Sequence, residues 1–203
     1  MVRISSLSIK KLDITTIYNM STKIFITGPS NIDKLSIAKK IVERNDDLSI
    51  GQHFSNDKSY EGVVDDDYIY YLSTQDIDLT YKNNFVLFVN TNNYISSGIT
   101  MDSFYNDDIF TMSMCEFNNI SDSIFKNENN DIVVIWLDTD YNKNNDNIFE
   151  DVRESGFLQQ RLNEGNIKYL YFFNEDEDSI LKVIFNYLYG NEEDRKEILI
   201  ENS

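Results

Sequence analysis

The chain has 203 residues and carries 18 Lys and Arg against 35 Asp and Glu, for a formal net charge of −17. That length suits one domain, or a domain with an appendage, and is enough to bury a real hydrophobic core. The acidic balance argues against a nucleic-acid binder, whose affinity comes from Lys and Arg neutralising phosphates; it fits a protein partner with a basic surface, or simple solubility.

The first 19 residues interleave serines with single apolar residues around Arg3, Lys10 and Lys11. They offer no continuous apolar core for a signal peptide, so the expectation is an N-terminal extension of an intracellular protein. The first strong strand is Lys23 to Thr27, rich in β-branched and aromatic residues and ending at Gly28. A helix follows from Lys34 to Arg44, where Leu35, Ile37, Ala38, Ile41 and Val42 recur at helical spacing. Further strands are predicted at Tyr68 to Leu72, Phe85 to Val89, Ile109 to Cys115, Ile132 to Leu137 and Tyr169 to Phe173. Helical spacing marks Asp151 to Leu162, through Val152, Phe157, Leu158 and Leu162, and Ser179 to Tyr189.

The longest apolar runs, such as Ile132 to Leu137, fall far short of the roughly 20 residues that a membrane-spanning helix needs. Apolar strands alternating with helices imply an α/β fold with a mostly parallel central sheet covered on both faces. The expected domain runs over 20–190, followed by an acidic C-terminal tail over 191–203. A single Cys115 and a single His53 exclude an intrachain disulfide and a Cys/His zinc cluster. Cys115 and Trp136 lie in apolar runs and read as core residues. Ala38 and Pro29 are the only residues of their kinds, as A/T-rich codons produce, so a viral, protist or bacterial genome of that composition is the expected source. The polar stretch Asn142 to Asn147 reads as a mobile loop, and Asp65-Asp66-Asp67 as a solvated acidic turn.

Gly28-Pro29-Ser30-Asn31-Ile32-Asp33-Lys34-Leu35-Ser36 lies between a strand and a helix, where a phosphate-binding loop belongs. Such a loop reads G-x-x-x-x-G-K-[ST]: glycines let backbone amides cradle phosphate, Lys reaches the β and γ phosphates, and the hydroxyl holds magnesium. Gly28 and Lys34 keep the spacing, but Asp33 replaces the second glycine and Leu35 the hydroxyl residue. Two like charges about 4 Å apart interact by roughly 4 kcal/mol at an effective dielectric near 20, so a carboxylate here opposes a polyphosphate strongly. Ser36 comes one residue late, about 100° away around the helix.

Ile26-Thr27-Gly28-Pro29-Ser30 followed by Lys34 resembles the start of guanylate kinases, whose loop reads G-P-S-G-x-G-K-[ST]. The likeness continues in order. Tyr68 to Ser73 with Asp76 is similar to a strand and short helix of that family's monophosphate lobe, and Ser97-Gly98-Ile99-Thr100 to its Y-G-T-S turn. Met114 to Asn118 resembles a strand ending in I-D-V-Q; Arg161-Leu162 and Tyr169 to Asp176 resemble the late helix, last strand and N-D-D turn.

The resemblance implies a P-loop, three-layer, guanylate-kinase-like fold and points to Gly28, Ser30, Lys34, Glu116 and Arg153 as nucleotide-binding positions, vestigial or working, with no metal site assigned. Where the family grips its monophosphate with T-T-R-x-x-R, His53 to Tyr60 offers only Lys58, which cannot reproduce a guanidinium fork. Two functions follow from the resemblance. One is a catalytically inactive member that binds another protein, a use the family's scaffold branch exemplifies, with no cofactor. The other is a divergent nucleoside monophosphate kinase using Mg and ATP on GMP or a related nucleotide. Arg153 and Arg161 could form a phosphate lid, but Glu150, Asp151, Glu154 and Glu164 offer helix partners that favour ordinary surface ion pairs over it.

Overall fold

The computed structural model describes residues 22–58, 61, 68–77, 85–90, 96–127, 130–140, 148–165 and 167–201. The expected extension over 1–19, the run Asp65 to Asp67 and the stretch Asn142 to Asn147 lie outside the described residues. Elements follow in the order β1 (Lys23–Gly28), α1 (Lys34–Arg44), β2 (His53–Ser55), β3 (Ile69–Tyr71), α2 (Thr74–Asp76), β4 (Phe85–Asn90), β5 (Ser96–Thr100) and α3 (Met101–Asn106). The remainder is β6 (Ile109–Ser113), α4 (Met114–Asn118), α5 (Asp122–Phe125), β7 (Ile132–Asp138), α6 (Ile148–Glu164), β8 (Lys168–Phe173), α7 (Glu177–Tyr189) and α8 (Glu192–Glu201).

A four-stranded sheet of order β6-β1-β7-β8 is parallel throughout. Its strands are apolar on both faces because both are covered. Ile24, Ile26, Val133, Ile135 and Leu137 face one side, where Ile37, Ala38 and Ile41 of α1 and Ile180, Leu181 and Ile184 of α7 pack on them. The alternate residues Phe25, Val134 and Trp136 face Met114 and Phe117 of α4 and Leu158 and Leu162 of α6. Period-two alternation thus feeds two cores from one sheet. Phe25 stacks on Phe104 and Phe110 at centroid distances of 6.3 and 5.5 Å and meets Phe117 edge-on, contacts worth about 0.5–1.5 kcal/mol each beyond burial.

A second four-stranded sheet of order β3-β2-β5-β4 mixes one parallel pair, β2 with β3, with the antiparallel pairs β2-β5 and β4-β5. The strands predicted at Tyr68 and Phe85 therefore belong to this smaller sheet rather than the central one. Gly98 belongs to β5, where a Cβ would lie 2.1 Å from the Leu87 carbonyl oxygen and 2.8 Å from the Phe54 ring.

The predicted strand over Ile109 to Cys115 stops at Ser113, and Met114 and Cys115 begin α4. Ser113 caps that helix: its hydroxyl accepts from the Glu116 N–H while the Glu116 carboxylate accepts from the Ser113 N–H. This reciprocal capping box is written in the sequence as S-x-x-E, and it corrects the placement of Glu116 at a strand end.

Helix α6 also departs from the apolar spacing predicted for it. Leu158 and Leu162 are buried, but Val152 and Phe157 are 51% and 52% exposed and Phe149 is 89% exposed, while Asp151 and Glu154 are buried. Polar partners from other elements decide this: Asp151 meets Ser30, and Glu154 accepts from the Asn118 side-chain amide at 2.9 Å. Asn174, after β8, sits in the left-handed region at φ 52°, which Asn tolerates better than most residues, and its side chain accepts from the Thr139 hydroxyl at 2.7 Å. The stretch expected as an acidic tail carries α8. No helix among the described residues is long and apolar enough to cross a membrane.

Candidate functional site

The loop after β1 leaves the carboxyl end of the parallel sheet, where open α/β sheets place their ligand crevices. Gly28 closes β1 there. A Cβ on it would lie 2.2 Å from the Leu137 carbonyl oxygen of β7, so strand packing alone requires glycine at this position.

Ser30 is turned toward α6. Its hydroxyl donates to Asp151 at 3.1 Å and its N–H to the same carboxylate at 3.4 Å. Asp33 is the N-cap of α1 and accepts from the Ser36 N–H at 3.0 Å. A carboxylate is favoured there by the unpaired amides and positive end of the helix. The Ser36 hydroxyl donates to Glu177 of α7 at 3.4 Å.

Lys34 opens α1 with its ammonium folded back on the loop, donating to the Pro29 carbonyl at 2.8 Å and the Ile32 carbonyl at 3.1 Å. Burial pushes this ammonium below the ordinary lysine value, while the carboxylates of Glu116, Asp151 and Asp33 pull it back up. The charge of Lys34 is thus already faced by acidic groups of the chain itself.

Across the cleft from the loop, Glu116 accepts from the Ser97 hydroxyl of β5 at 2.7 Å, and from the N–H and hydroxyl of Ser113 at 2.8 and 2.9 Å. Burial alone would raise its carboxyl; the neighbouring His53 and these hydrogen bonds outweigh that and hold it below the ordinary value. His53 on β2 is 8% exposed, and burial depresses its imidazole, opposed by the Glu116 charge. Its Nε2 is buried and has no hydrogen-bond partner among the described residues. The loop, β2, β5 and the β6-α4 corner enclose a cleft of about 410 Å³ lined by Lys34, His53, Asp57, Ser97, Thr111 and Glu116, among others. Roomier cavities of about 650 and 780 Å³ lie elsewhere, against Arg161 and against α3, and touch neither the loop nor Glu116.

Of the sequence-selected residues, the fold brings Lys34 and Glu116 to one cleft, with Gly28 and Ser30 in the loop above it. Arg153 does not line it. Its guanidinium pairs with Glu154 at 2.9 Å and Glu150 at 3.7 Å on the surface of α6. Sequence reasoning missed His53 and Asp151 as site residues. An isolated histidine in a three-residue strand carries no local signal, and Asp151 stands 121 positions from the serine it binds. Among the described residues no three His, Cys, Asp or Glu gather as a metal centre.

No family model matches the chain, and no curated protein matches it either. Among solved structures, its fold is similar to that of the guanylate kinase from Anaplasma phagocytophilum, with a TM-score of 0.53 over 88% of this chain and 87% of that one, at 13% identity. At that identity the likeness concerns the fold, which is guanylate-kinase-like.

Proposed function

We propose that this protein keeps a guanylate-kinase-like fold without phosphoryl transfer and acts by binding another protein. The carrying observation is that Ser30 of the phosphate-loop segment gives its hydroxyl and N–H to the Asp151 carboxylate. An anion of the chain thus sits where a phosphate would need those donors. Asp33 adds a second carboxylate at the α1 cap, and Lys34 is spent on loop carbonyls. Phosphoryl transfer depends on positioning and charge stabilisation, and two like charges about 4 Å apart oppose each other by roughly 4 kcal/mol at an effective dielectric near 20. These residues do not fit a magnesium triphosphate, since the Ser36 hydroxyl is turned to Glu177. Phe149, Val152 and Phe157 expose apolar surface on α6, the kind that contact surfaces use.

The competing reading, a divergent nucleoside monophosphate kinase, draws on Lys34 at phosphate-loop spacing and on Glu116 in the same cleft. Thermal unfolding with and without Mg-ATP and GMP separates the two, because a ligand that binds only the folded state adds RT ln(1 + [L]/Kd) to stability. The expected result is no shift with millimolar nucleotide and no phosphorylated product. Binding with Kd below about 100 μM, together with transfer that Lys34→Ala abolishes, overturns the proposal.

A further inference from the structure

We propose that the chain's own N-terminal segment, residues 1–21, docks in the groove beside α3, with apolar side chains against Tyr70 and Tyr105 and with Lys10 and Lys11 against Asp102 and Asp107. The proposal stands apart from the protein-binding reading, since no residue of the phosphate-loop segment lines this groove.

The groove has a volume of about 780 Å³ and opens between α3, β3 and the stretch leading into β2. Tyr68, Tyr70, Met101 and Tyr105 give it an aromatic and apolar lining, and Tyr105 is 45% exposed. Its charged lining among the described residues is acidic, from Asp102 and Asp107. Two cations that touch lining residues are already engaged. The Lys23 ammonium donates to the carbonyls of Tyr105 and Asp107 at 3.4 and 2.6 Å, and Lys39 lies 5.4 Å over the Tyr68 ring. A guest that is both apolar and basic is favoured here, and an acidic one is opposed.

The first 21 residues, which lie outside the described residues, have that chemistry. They hold Arg3, Lys10 and Lys11 against a single acidic residue, Asp13, in a chain whose net charge is −17. Leu7, Ile9, Leu12 and Ile14 flank the lysine pair, so apolar and basic groups come together in one short stretch. The field of the acidic remainder of the chain draws this segment to its own surface.

The point where the segment joins the fold selects this groove. Lys23 begins β1, and Ile24 pairs in parallel with Ile109 of β6, so the chain enters beside the turn between α3 and β6. The Ile24 N–H donates to the Asp108 carbonyl at 2.8 Å, and Lys23 touches two lining residues directly. The cavities that include Asp33 lie at the other, carboxyl end of β1. The cavity against Arg161 mixes Lys126 and Arg161 with its carboxylates, whereas the α3 groove presents carboxylates only. Extended, the segment reaches about 70 Å at most, ample to lie along the groove. A short tether gives an effective concentration of about 1 mM, so a contact of about 1 mM intrinsic Kd holds the segment about half of the time. Tyr68 also lines the cleft that holds Lys34 and Glu116, so a docked segment rests against a wall the two cavities share.

The test uses the full ¹⁵N-labelled chain. In a Cys115→Ser background a nitroxide is attached at Ser8→Cys, and amide signals are compared with the label oxidised and reduced. The signals of Tyr70, Met101, Asp102 and Tyr105 are expected to lose about half of their intensity or more. Raising salt from about 0.1 M to about 1 M shortens the screening length from about 10 to about 3 Å and should reverse most of that loss. Lys10→Glu with Lys11→Glu should reverse it at low salt, and adding Asp102→Lys to that pair should bring the loss back. Should a charge-reversed variant fail to fold, the salt titration of the parent carries the decision. Unattenuated signals along the groove overturn the proposal, as do losses concentrated on another face or insensitive to both salt and charge reversal. Labelled chains without ¹⁵N, mixed with unlabelled ¹⁵N chains, give the remaining control: losses appearing there to the same extent identify a second copy as the occupant and overturn the intramolecular reading.

Discussion

The Asp151 carboxylate accepts from both the hydroxyl and the N–H of Ser30, at 3.1 and 3.4 Å, and so fastens the start of α6 to the loop after β1. Asp151 is 7% exposed, so its charge is held in a largely dry place by such bonds.

Replacing Asp151 by Ala removes both hydrogen bonds, and because Ser30 is exposed and water takes up its donors, stability should fall by only about 0.5–1.5 kcal/mol in urea unfolding. Asp33→Ala removes the α1 cap and should cost about 1 kcal/mol, while Asp33→Gly should cost only a few tenths. Combining Asp33→Gly and Leu35→Ser with Asp151→Asn removes both carboxylates and supplies a hydroxyl after Lys34. Weak thermal stabilisation by Mg-ATP is then expected, without transfer, since His53 to Lys58 still contains no arginine. A triple variant that folds and shows no stabilisation counts against carboxylate occupation as the cause of silence.

Gly28→Ala places a methyl group 2.2 Å from the Leu137 carbonyl oxygen, where backbone on both sides leaves no room to yield. The expected loss is about 3 kcal/mol or more, or an insoluble protein. A well-folded Gly28→Ala variant with an unchanged midpoint would show that β1 and β7 separate more easily than their parallel register implies.

Arg161 ties α6 to the segment after α4. Its guanidinium donates to the carbonyls of Asn118 and Ile120 and to Asp122 at 3.1 Å, and lies over the rings of Phe117 and Phe125 at 5.7 and 5.1 Å. Truncation to Ala leaves those half-buried carbonyls without their guanidinium donors and removes the stem from the rings, a loss of about 1–3 kcal/mol. Lysine should recover less than half of it, because an ammonium cannot fork between two carbonyls. Equal stabilities for the Lys variant and the parent would remove the fork from the account.

Acid should destabilise the fold in two stages. Burial depresses His53, so the unfolded chain takes up that proton at higher pH than the folded one; the related stability is complete above about 6.5 and drains as pH falls from there. Glu116 is also depressed, burial being outweighed by His53 and the Ser113 and Ser97 hydrogen bonds, so its contribution is present above about 4.5 and is lost at lower pH. The two groups face each other and titrate as a pair. A fall in Tm from pH 7 to pH 5 is expected, at about 1.4 kcal/mol per unit of depression, and His53→Phe should flatten that arm. A parent profile flat over that range would contradict the buried neutral imidazole.

Much of the central sheet was legible because its signals are local. Lys34 to Arg44 repeats apolar residues at helical spacing, and α1 has those bounds. Ile132 to Leu137 is an uninterrupted apolar run, and β7 follows it to Asp138. The capping box that moves Glu116 onto α4 was equally local, since Ser113 and Glu116 stand three positions apart; the apolar run through Met114 and Cys115 masked it. β2 and β5 gave no such warning. His53-Phe54-Ser55 is too short to show a period, and Ser96 to Thr100 has the composition of a turn; each is a strand because Phe54 finds Gly98 across the ladder.

By itself the sequence determined the alternation of strand and helix, the loop with Gly28 and Lys34, and the acidic charge, because backbone propensity and side-chain periodicity act over a few neighbours. Only the tertiary structure decided what that loop faces. Whether Ser30 offers its donors to a phosphate or to a carboxylate depends on Asp151, which the packing of α6 against the sheet delivers from 121 residues away. His53 reaches the same cleft as Glu116 because two separate sheets meet there. Hydrogen bonds and charges act through distance in space, and that distance is set by topology rather than by position along the chain.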